Sequence, residues 1–225
     1  MVEIRVLDSW REAHPGGVMG FLVMENAQDQ GEHTGLDEAR RALEEHLRQR
    51  YAGVSRAELK AIPPLDAYTA YYKRYDKTYH VLLQLESVAH KGKPIPDMPG
   101  AVQAVFMAEL ESQVLTAGHD LDACQGPLEV GAATGGEGYL GAAGREQALK
   151  PRDMYMADRQ GVICSVLYGE DQRTRITAQT RNLLYVVYGP PGVGETVVRR
   201  HLEGVAHNVR LYAPQAVQAM LQTVS

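Results

Sequence analysis

Residues 153–189 read DMYMADRQGVICSVLYGEDQRTRITAQTRNLLYVVYG, and their periodicity decides the fold. DMYMAD (153–158), GVICSVLYG (161–169) and RNLLYVVYG (181–189) alternate or run apolar over the length of a strand, with turn residues between them. Glu170 and Asp171 end the second strand, ahead of a loop carrying Arg173, Thr174, Arg175, Thr177, Thr180, Arg181 and Asn182. Carboxylates at a strand end can grip an amino group, while hydroxyls and guanidiniums hold carbonyl or phosphate oxygens. The same residues also suit a polar hairpin that satisfies its own groups.

Upstream, GPLEVGAAT (126–134) is another strand and TGGEGYLGAAGREQAL (134–149) a loop with an edge hairpin. AVQAVFMAELESQVL (101–115) is the most apolar helix and belongs in the core. Between them, in GHDLDACQGPLEV, His119, Asp120 and Asp122 fall at an expected helix-to-strand junction. A histidine beside carboxylates can exchange protons or hold a water. Such residues equally serve as turns and caps, and with no second histidine nearby they make no metal site.

The run from Tyr68 to Tyr79 interleaves five tyrosines with Lys73, Arg74 and Lys77. Exposed, it would stack bases and track phosphates; its helical spacing equally predicts one buried stripe. The following loop, His90-Lys91-Gly92-Lys93, exposes its charges and is the better nucleic-acid candidate, with Pro94, Pro96 and Pro99 ending the helix before it. Near the N-terminus, EIRVLDSW (3–10) and GVMGFLVMENA (17–27) read as two strands joined by a turn at His14–Gly17, and residues 34–53 as a surface helix.

Downstream, Gly189-Pro190-Pro191-Gly192-Val193-Gly194-Glu195-Thr196 has the outline of a phosphate-binding loop. Glu195 stands where that motif needs its lysine, so the central contact with phosphate would be repulsive. Nucleotide-binding domains also carry this loop after their first strand, whereas only about thirty residues follow here. No nucleotide is expected at Gly189–Thr196, and those last thirty residues read as helix, short strand or turn, and helix.

The chain of 225 residues is 44% hydrophobic and 23% charged with a formal charge of −5, so any nucleic-acid site must be a local basic patch. Cys124 and Cys164 stand in no metal-ligand spacing. No apolar run approaches the roughly 20 residues that span a bilayer, and MVEIRVLDSW is no secretory leader. These features predict a soluble cytoplasmic protein with no membrane partner, metal or cofactor. Strands, then helices, then a strand-rich half predict an α+β fold with largely antiparallel sheets and helices packed on one side.

Taken together, LESVAHKGKPIPDMPGAVQAVFMAELESQVLTAGHDLDACQGPLEV (85–130) and residues 153–189 resemble the editing domain of the bacterial phenylalanyl-tRNA synthetase β subunit. They look more like the freestanding versions of that domain. The shared order is a basic Gly-Pro loop, a core helix, a D-x-D junction, a strand, a D-x-x-G-V turn, a GE pair and a T-x-x-T-R-N loop entering a final strand. The likeness covers roughly residues 60 to 210, which makes 61–225 the editing-like domain and leaves 1–60 as strands and a helix integral to it or appended.

The resemblance implies a layered β/β/α fold and, beyond it, a tRNA-binding domain that hydrolyses the ester of a mischarged aminoacyl-tRNA in trans. It implies Glu170 as the residue facing the amino acid, with Asp171 and His119 as further catalytic candidates. Thr174, Thr177 and Asp120 would bind substrate, while Lys91, Lys93, Arg173 and Arg175 would meet RNA. Where the family has a Thr-Asn pair and a histidine, an ungapped register places Val105, Phe106 and Ala117. That departure also fits a non-catalytic tRNA- or amino-acid-binding module, or a protein-interaction domain that kept only the fold, with the first sixty residues as an edge for a homo-oligomer.

Overall fold

The run Leu183–Gly189 is buried at every position, as a strand covered on both faces must be. The computed structural model describes residues 2–31 and 33–225. The order along the chain is β1 (Ile4–Val6), α1 (Asp8–Ala13), β2 (Val18–Glu25), α2 (Thr34–Arg50), α3 (Arg56–Lys60), α4 (Pro63–Lys73), α5 (His80–Ala89) and α6 (Gly100–Ser112). It continues as β3 (Thr116–Asp120), β4 (Leu128–Ala132), β5 (Gly138–Leu140), β6 (Glu146–Ala148), β7 (Met154–Asp158) and β8 (Gly161–Ser165). The last elements are β9 (Gly169–Glu170), β10 (Leu183–Gly189), α7 (Glu195–Tyr212) and β11 (Val217–Val224).

Two principal sheets result. One is four-stranded in the order β11-β2-β10-β3 and antiparallel throughout. The other has the order β1-β4-β7-β8-β9, with β1 parallel to β4 and the remaining pairs antiparallel. β5 and β6 form the expected separate hairpin. The chain is therefore an α+β protein of mainly antiparallel sheets with helices packed alongside. Among the described residues, no helix is long and apolar enough to cross a membrane.

Helix α7 buries Val198, Leu202, Val205 and Val209 on one stripe. It lies so close to β2 that a Cβ on Gly20 would stand 2.5 Å from Val198 Cγ1 and 2.9 Å from Leu202 Cδ1. The tyrosine run is core. Tyr68, Tyr71, Tyr72 and Tyr79 are buried, Tyr68 stacks on Tyr79 at 4.7 Å between centroids, and Tyr71 and Tyr72 donate to Asp153 Oδ1 and the Val166 carbonyl.

Four local expectations are corrected. The N-terminal strands do not form a hairpin: Asp8–Ala13 is helical, and β1 and β2 enter different sheets. The helix expected from Pro63 onward is interrupted between α4 and α5, where Asp76 turns the chain at φ 56°. His119 and Asp120 belong to a strand, because Thr116–Asp120 pairs with β10. The last segment is also a strand, since β2 offers a free edge that β11 fills through a bulge between Gln218 and Met220.

The tight seam between β2 and α7 makes Gly20→Val destabilising by about 1–3 kcal/mol through overpacking. Gly204, in α7 with open space around its Cβ position, behaves oppositely: Gly204→Ala stabilises by up to about 1 kcal/mol. Urea denaturation of the two variants checks both signs.

Candidate functional site

Helix α6 places Val102, Val105, Phe106 and Glu109 on one face by their i, i+3, i+4, i+7 spacing. All four line a cavity of about 610 Å³ between α6, the outer edge of β3 and the β8–β9 turn. That size suits a small organic ligand.

The edge of β3 explains how carboxyl groups come to lie in this largely apolar space. β3 ends its sheet, so every second N–H along it lacks a strand partner. Thr116 N–H donates to Glu109 Oε1 at 2.7 Å, Gly118 N–H to Glu170 Oε1 at 3.2 Å, and Asp120 N–H to the Thr174 carbonyl at 2.7 Å. Glu170 reaches this edge because Gly169, at φ 80°, turns the chain at the start of β9.

Burial pushes the Glu109 carboxyl up to about 8; the Thr116 N–H opposes this and the nearby Glu170 adds to it. Glu109 is thus mainly a neutral acid at pH 7. Burial also raises Glu170, with neighbouring Asp171 adding to the effect, while its backbone hydrogen bonds pull the other way. Ser165 and Tyr188 also belong to the cavity wall, but their hydroxyl oxygens are buried within it and closed off from the space.

Behind β3, Ser112 donates to the Ala108 carbonyl at 2.8 Å, so its oxygen accepts from His201 Nδ1–H at 2.7 Å. His201 Nε2 is then the acceptor for Thr116 Oγ1–H at 2.5 Å. This chain ties α6, β3 and α7 together, and burial holds His201 down to about 4, hence uncharged.

The residues expected to form one site divide into three groups. Glu170 and Arg175 line the cavity, as do Val105, Phe106 and Ala117, the positions where polar groups were expected. His119, Asp171 and Thr174 form a closed buried cluster outside the cavity lining. Thr174 donates through both N–H and O–H to Asp171 Oδ1, so its oxygen accepts from His119 Nδ1–H at 2.8 Å. His119 Nε2 has no partner, and burial lowers the ring to about 4, with Arg173 lowering it further and Asp158 opposing.

Asp120 and Thr177 belong to the third group. Asp120 Oδ2 accepts from Thr180 Oγ1 at 2.8 Å, and that oxygen accepts from Thr177 N–H at 2.9 Å. Asn182 donates to both oxygens of Asp122. The D-x-D and T-x-x-T-R-N segments therefore fasten to each other.

Arg173 is engaged internally, with Asp158 at 2.9 Å and the Ala123 carbonyl at 2.8 Å. Lys91 and Lys93 are exposed on the loop after α5, away from the cavity lining. Glu195 of the phosphate-loop-like segment opens α7 and accepts from Thr223 Oγ1 of β11 at 2.6 Å. Glu109 escaped the sequence reading, although a glutamate three and four residues after Phe106 and Val105 interrupts the apolar face of α6. Among the described residues, no group of three His, Cys, Asp or Glu side chains is placed to hold a metal ion.

The arrangement of sheets and helices defines a fold that also occurs in a solved synthetase fragment. The structure is similar, with a TM-score of 0.52 and 12% sequence identity, to an N-terminal fragment of the phenylalanyl-tRNA synthetase β subunit from Pyrococcus horikoshii. The likeness covers 100% of this chain and 54% of the fragment, so the chain spans about half of that neighbour. At this identity the likeness is one of fold. No protein-family model and no curated protein sequence matches the chain.

The buried titratable groups give stability a pH optimum. His14, His119 and His201 are each held down to about 4 from 6.5, chiefly by burial. The unfolded chain thus binds more protons at these sites below pH 6.5, and stability falls as they charge. Glu109, raised to about 8, and Asp153, raised to about 6, both chiefly by burial, have the opposite sign: stability falls as pH rises through their windows. The histidines outnumber the carboxyls below pH 6.5, and from about pH 7 to 8 Glu109 outweighs the remaining protonation of the unfolded histidines. Urea denaturation should place the maximum near pH 7, with Glu109 contributing an alkaline slope approaching ~1.4 kcal/mol per pH unit above it. Glu109→Gln removes that contribution.

Proposed function

We propose that this chain is a freestanding aminoacyl-tRNA editing-like domain whose cavity receives the aminoacyl end of a tRNA. The observation that carries this reading is Glu170, a raised carboxyl beside a 610 Å³ cavity that Arg175 also lines, in a fold similar to a tRNA-synthetase fragment. A carboxylate whose proton affinity is raised by burial is a better general base than a solvated one. In the proposed reaction, Glu170 takes a proton from a water attacking the ester carbonyl. The bond from that carbonyl carbon to the ribose oxygen breaks, and the leaving oxygen receives a proton as the amino acid is freed.

Arg175 and the exposed Lys91 and Lys93 meet RNA phosphates in this reading, which places the protein among cytoplasmic tRNAs. His119, Asp171, Thr174, Asp120 and Thr177 act at one remove, by fixing the loop from which Arg175 projects. Arg173 has the same positioning role.

A second reading is binding without hydrolysis. It is favoured by the apolar Val105, Phe106 and Ala117 on the cavity wall, which reduce the polar groups able to aim a water.

Incubation with a panel of mischarged tRNAs separates the two. Editing predicts loss of at least one ester above the buffer rate, with Glu170→Gln slowing that loss by about 10²–10⁴-fold. No loss of any ester, with tRNA affinity retained, supports binding alone; neither turnover nor affinity defeats both. Arg175→Ala should weaken tRNA binding and flatten its logarithmic salt dependence by about 0.7, the share of one single-strand phosphate contact. Arg173→Ala should instead lower folding stability, because it removes the cation paired with the buried Asp158 and leaves that carboxylate only its backbone donors, Gln125 and Gln160.

A further inference from the structure

Five exposed cations stand on two turns that the fold fastens together. Lys73, Arg74 and Lys77 lie where α4 gives way to α5, and Lys150 and Arg152 lie on the turn ahead of β7. Tyr75 joins the two turns by donating to the Pro151 carbonyl at 3.2 Å. Burial and then Asp153 raise the Tyr75 hydroxyl, and the charges of Arg74 and Arg152 oppose them, so both guanidiniums stand near this one ring. Lys77 ties the group to the cavity: its ammonium lies 4.4 Å from the centroid of the Tyr168 ring, and Tyr168 lines the cavity.

No acid of the chain neutralises this group. Among the described residues, no carboxylate oxygen comes within 4.0 Å of any of the five cations. Asp76, in the same turn, is exposed and pairs with none of them, and Asp153 is buried, accepting from Tyr71. Arg152 spends one donor on the Ala13 carbonyl. Its backbone is held at φ 66°, so the turn keeps an arginine where glycine would be less strained. Like charges gathered on a chain of net charge −5 repel one another, and an anion relieves that repulsion.

The form of the anion follows from the arrangement. A small anion needs donors that converge on one point, whereas these cations are spread over two turns and reach the cavity rim. An acidic peptide would meet the charges and leave the aromatic surface unused. Single-stranded nucleic acid uses both, with phosphates following the cations and bases stacking on aromatic rings. Tyr75 and Tyr168, both half-buried, present ring surface among the charges.

We infer that Lys73, Arg74, Lys77, Lys150 and Arg152 form a phosphate track for single-stranded RNA that leads away from the cavity rim at Tyr168. The inference deepens the proposed function and rests on it for RNA as the nucleic acid. It adds this surface to the contacts of Arg175, Lys91 and Lys93.

The test is a fluorescence-anisotropy titration of the full chain with a labelled, unstructured RNA of about 12 nucleotides over a series of salt concentrations. Polyglutamate of equal charge is the competitor that stands for an acidic protein partner. A variant combining Lys73→Ala, Lys77→Ala and Lys150→Ala alters exposed side chains only. It should flatten the logarithmic salt dependence by about 2, the share of three single-strand phosphate contacts, and weaken binding about tenfold or more at low salt. Arginine at the same three positions should keep the wild-type slope.

No RNA binding by the wild type, an unchanged slope in the alanine variant, or competition by polyglutamate as strong as by RNA overturns the inference. The wild-type comparison with polyglutamate decides even if the variant fails to fold. Hydrolysis or binding of aminoacyl-tRNA with the slope unchanged in the variant removes the track alone. RNA held by the track, with no aminoacyl-tRNA bound or hydrolysed, removes only the tRNA reading.

Discussion

The outer edge of β3 is the constraint on which the rest of the site depends. A terminal strand beside a cavity leaves N–H groups that must find acceptors, because an unpaired buried donor costs as much as the hydrogen bond it forgoes. Here the acceptors are two glutamates and a loop carbonyl. Glu109 comes from α6, Glu170 from β9, and the carbonyl from the loop after Asp171. One strand edge thus draws a helix, the second sheet and a polar loop to a single line. It also fixes two carboxyl groups in a space too apolar to ionise both easily.

The polar segments around this edge hold one another more than they face the cavity. Asp120 holds Thr180, Asp122 holds Asn182, and Asp171 holds Thr174, which holds His119. Their charges and hydroxyls are largely spent in setting the path of residues 171–182, and that path delivers Arg175 and Ile176 to the cavity wall. A short polar motif shared between sequences can therefore record a loop geometry as readily as a catalytic apparatus.

Much of the fold was legible because period-two runs and Gly-rich turns announce strands. Residues 153–189 gave three strands, two of them neighbours in one sheet. β3 was hidden because Thr116–Asp120 carries no apolar alternation, and β11 because its formation depends on the exposed backbone of β2 rather than on its own residues. In the site, Glu170 was legible as a carboxylate at a strand tip, and the tyrosine stripe as core by its helical spacing. Glu109 was read only as part of an apolar helix. His119 looked available for chemistry because sequence reveals neither which side of a sheet is covered nor that Thr174 lies 55 positions away against its ring.

The carboxyl pair is most directly tested by a ¹³C NMR titration of the glutamate side chains, with Glu109→Gln and Glu170→Gln assigning the two resonances. An apolar cavity at an unpaired strand edge predicts a Glu109 carboxyl that stays protonated past neutrality and titrates near 8, with Glu170 also above the ordinary range. Both resonances moving between pH 4 and 5, as for solvated glutamates, would mean that the two groups stand in water, and the account of this site would be wrong.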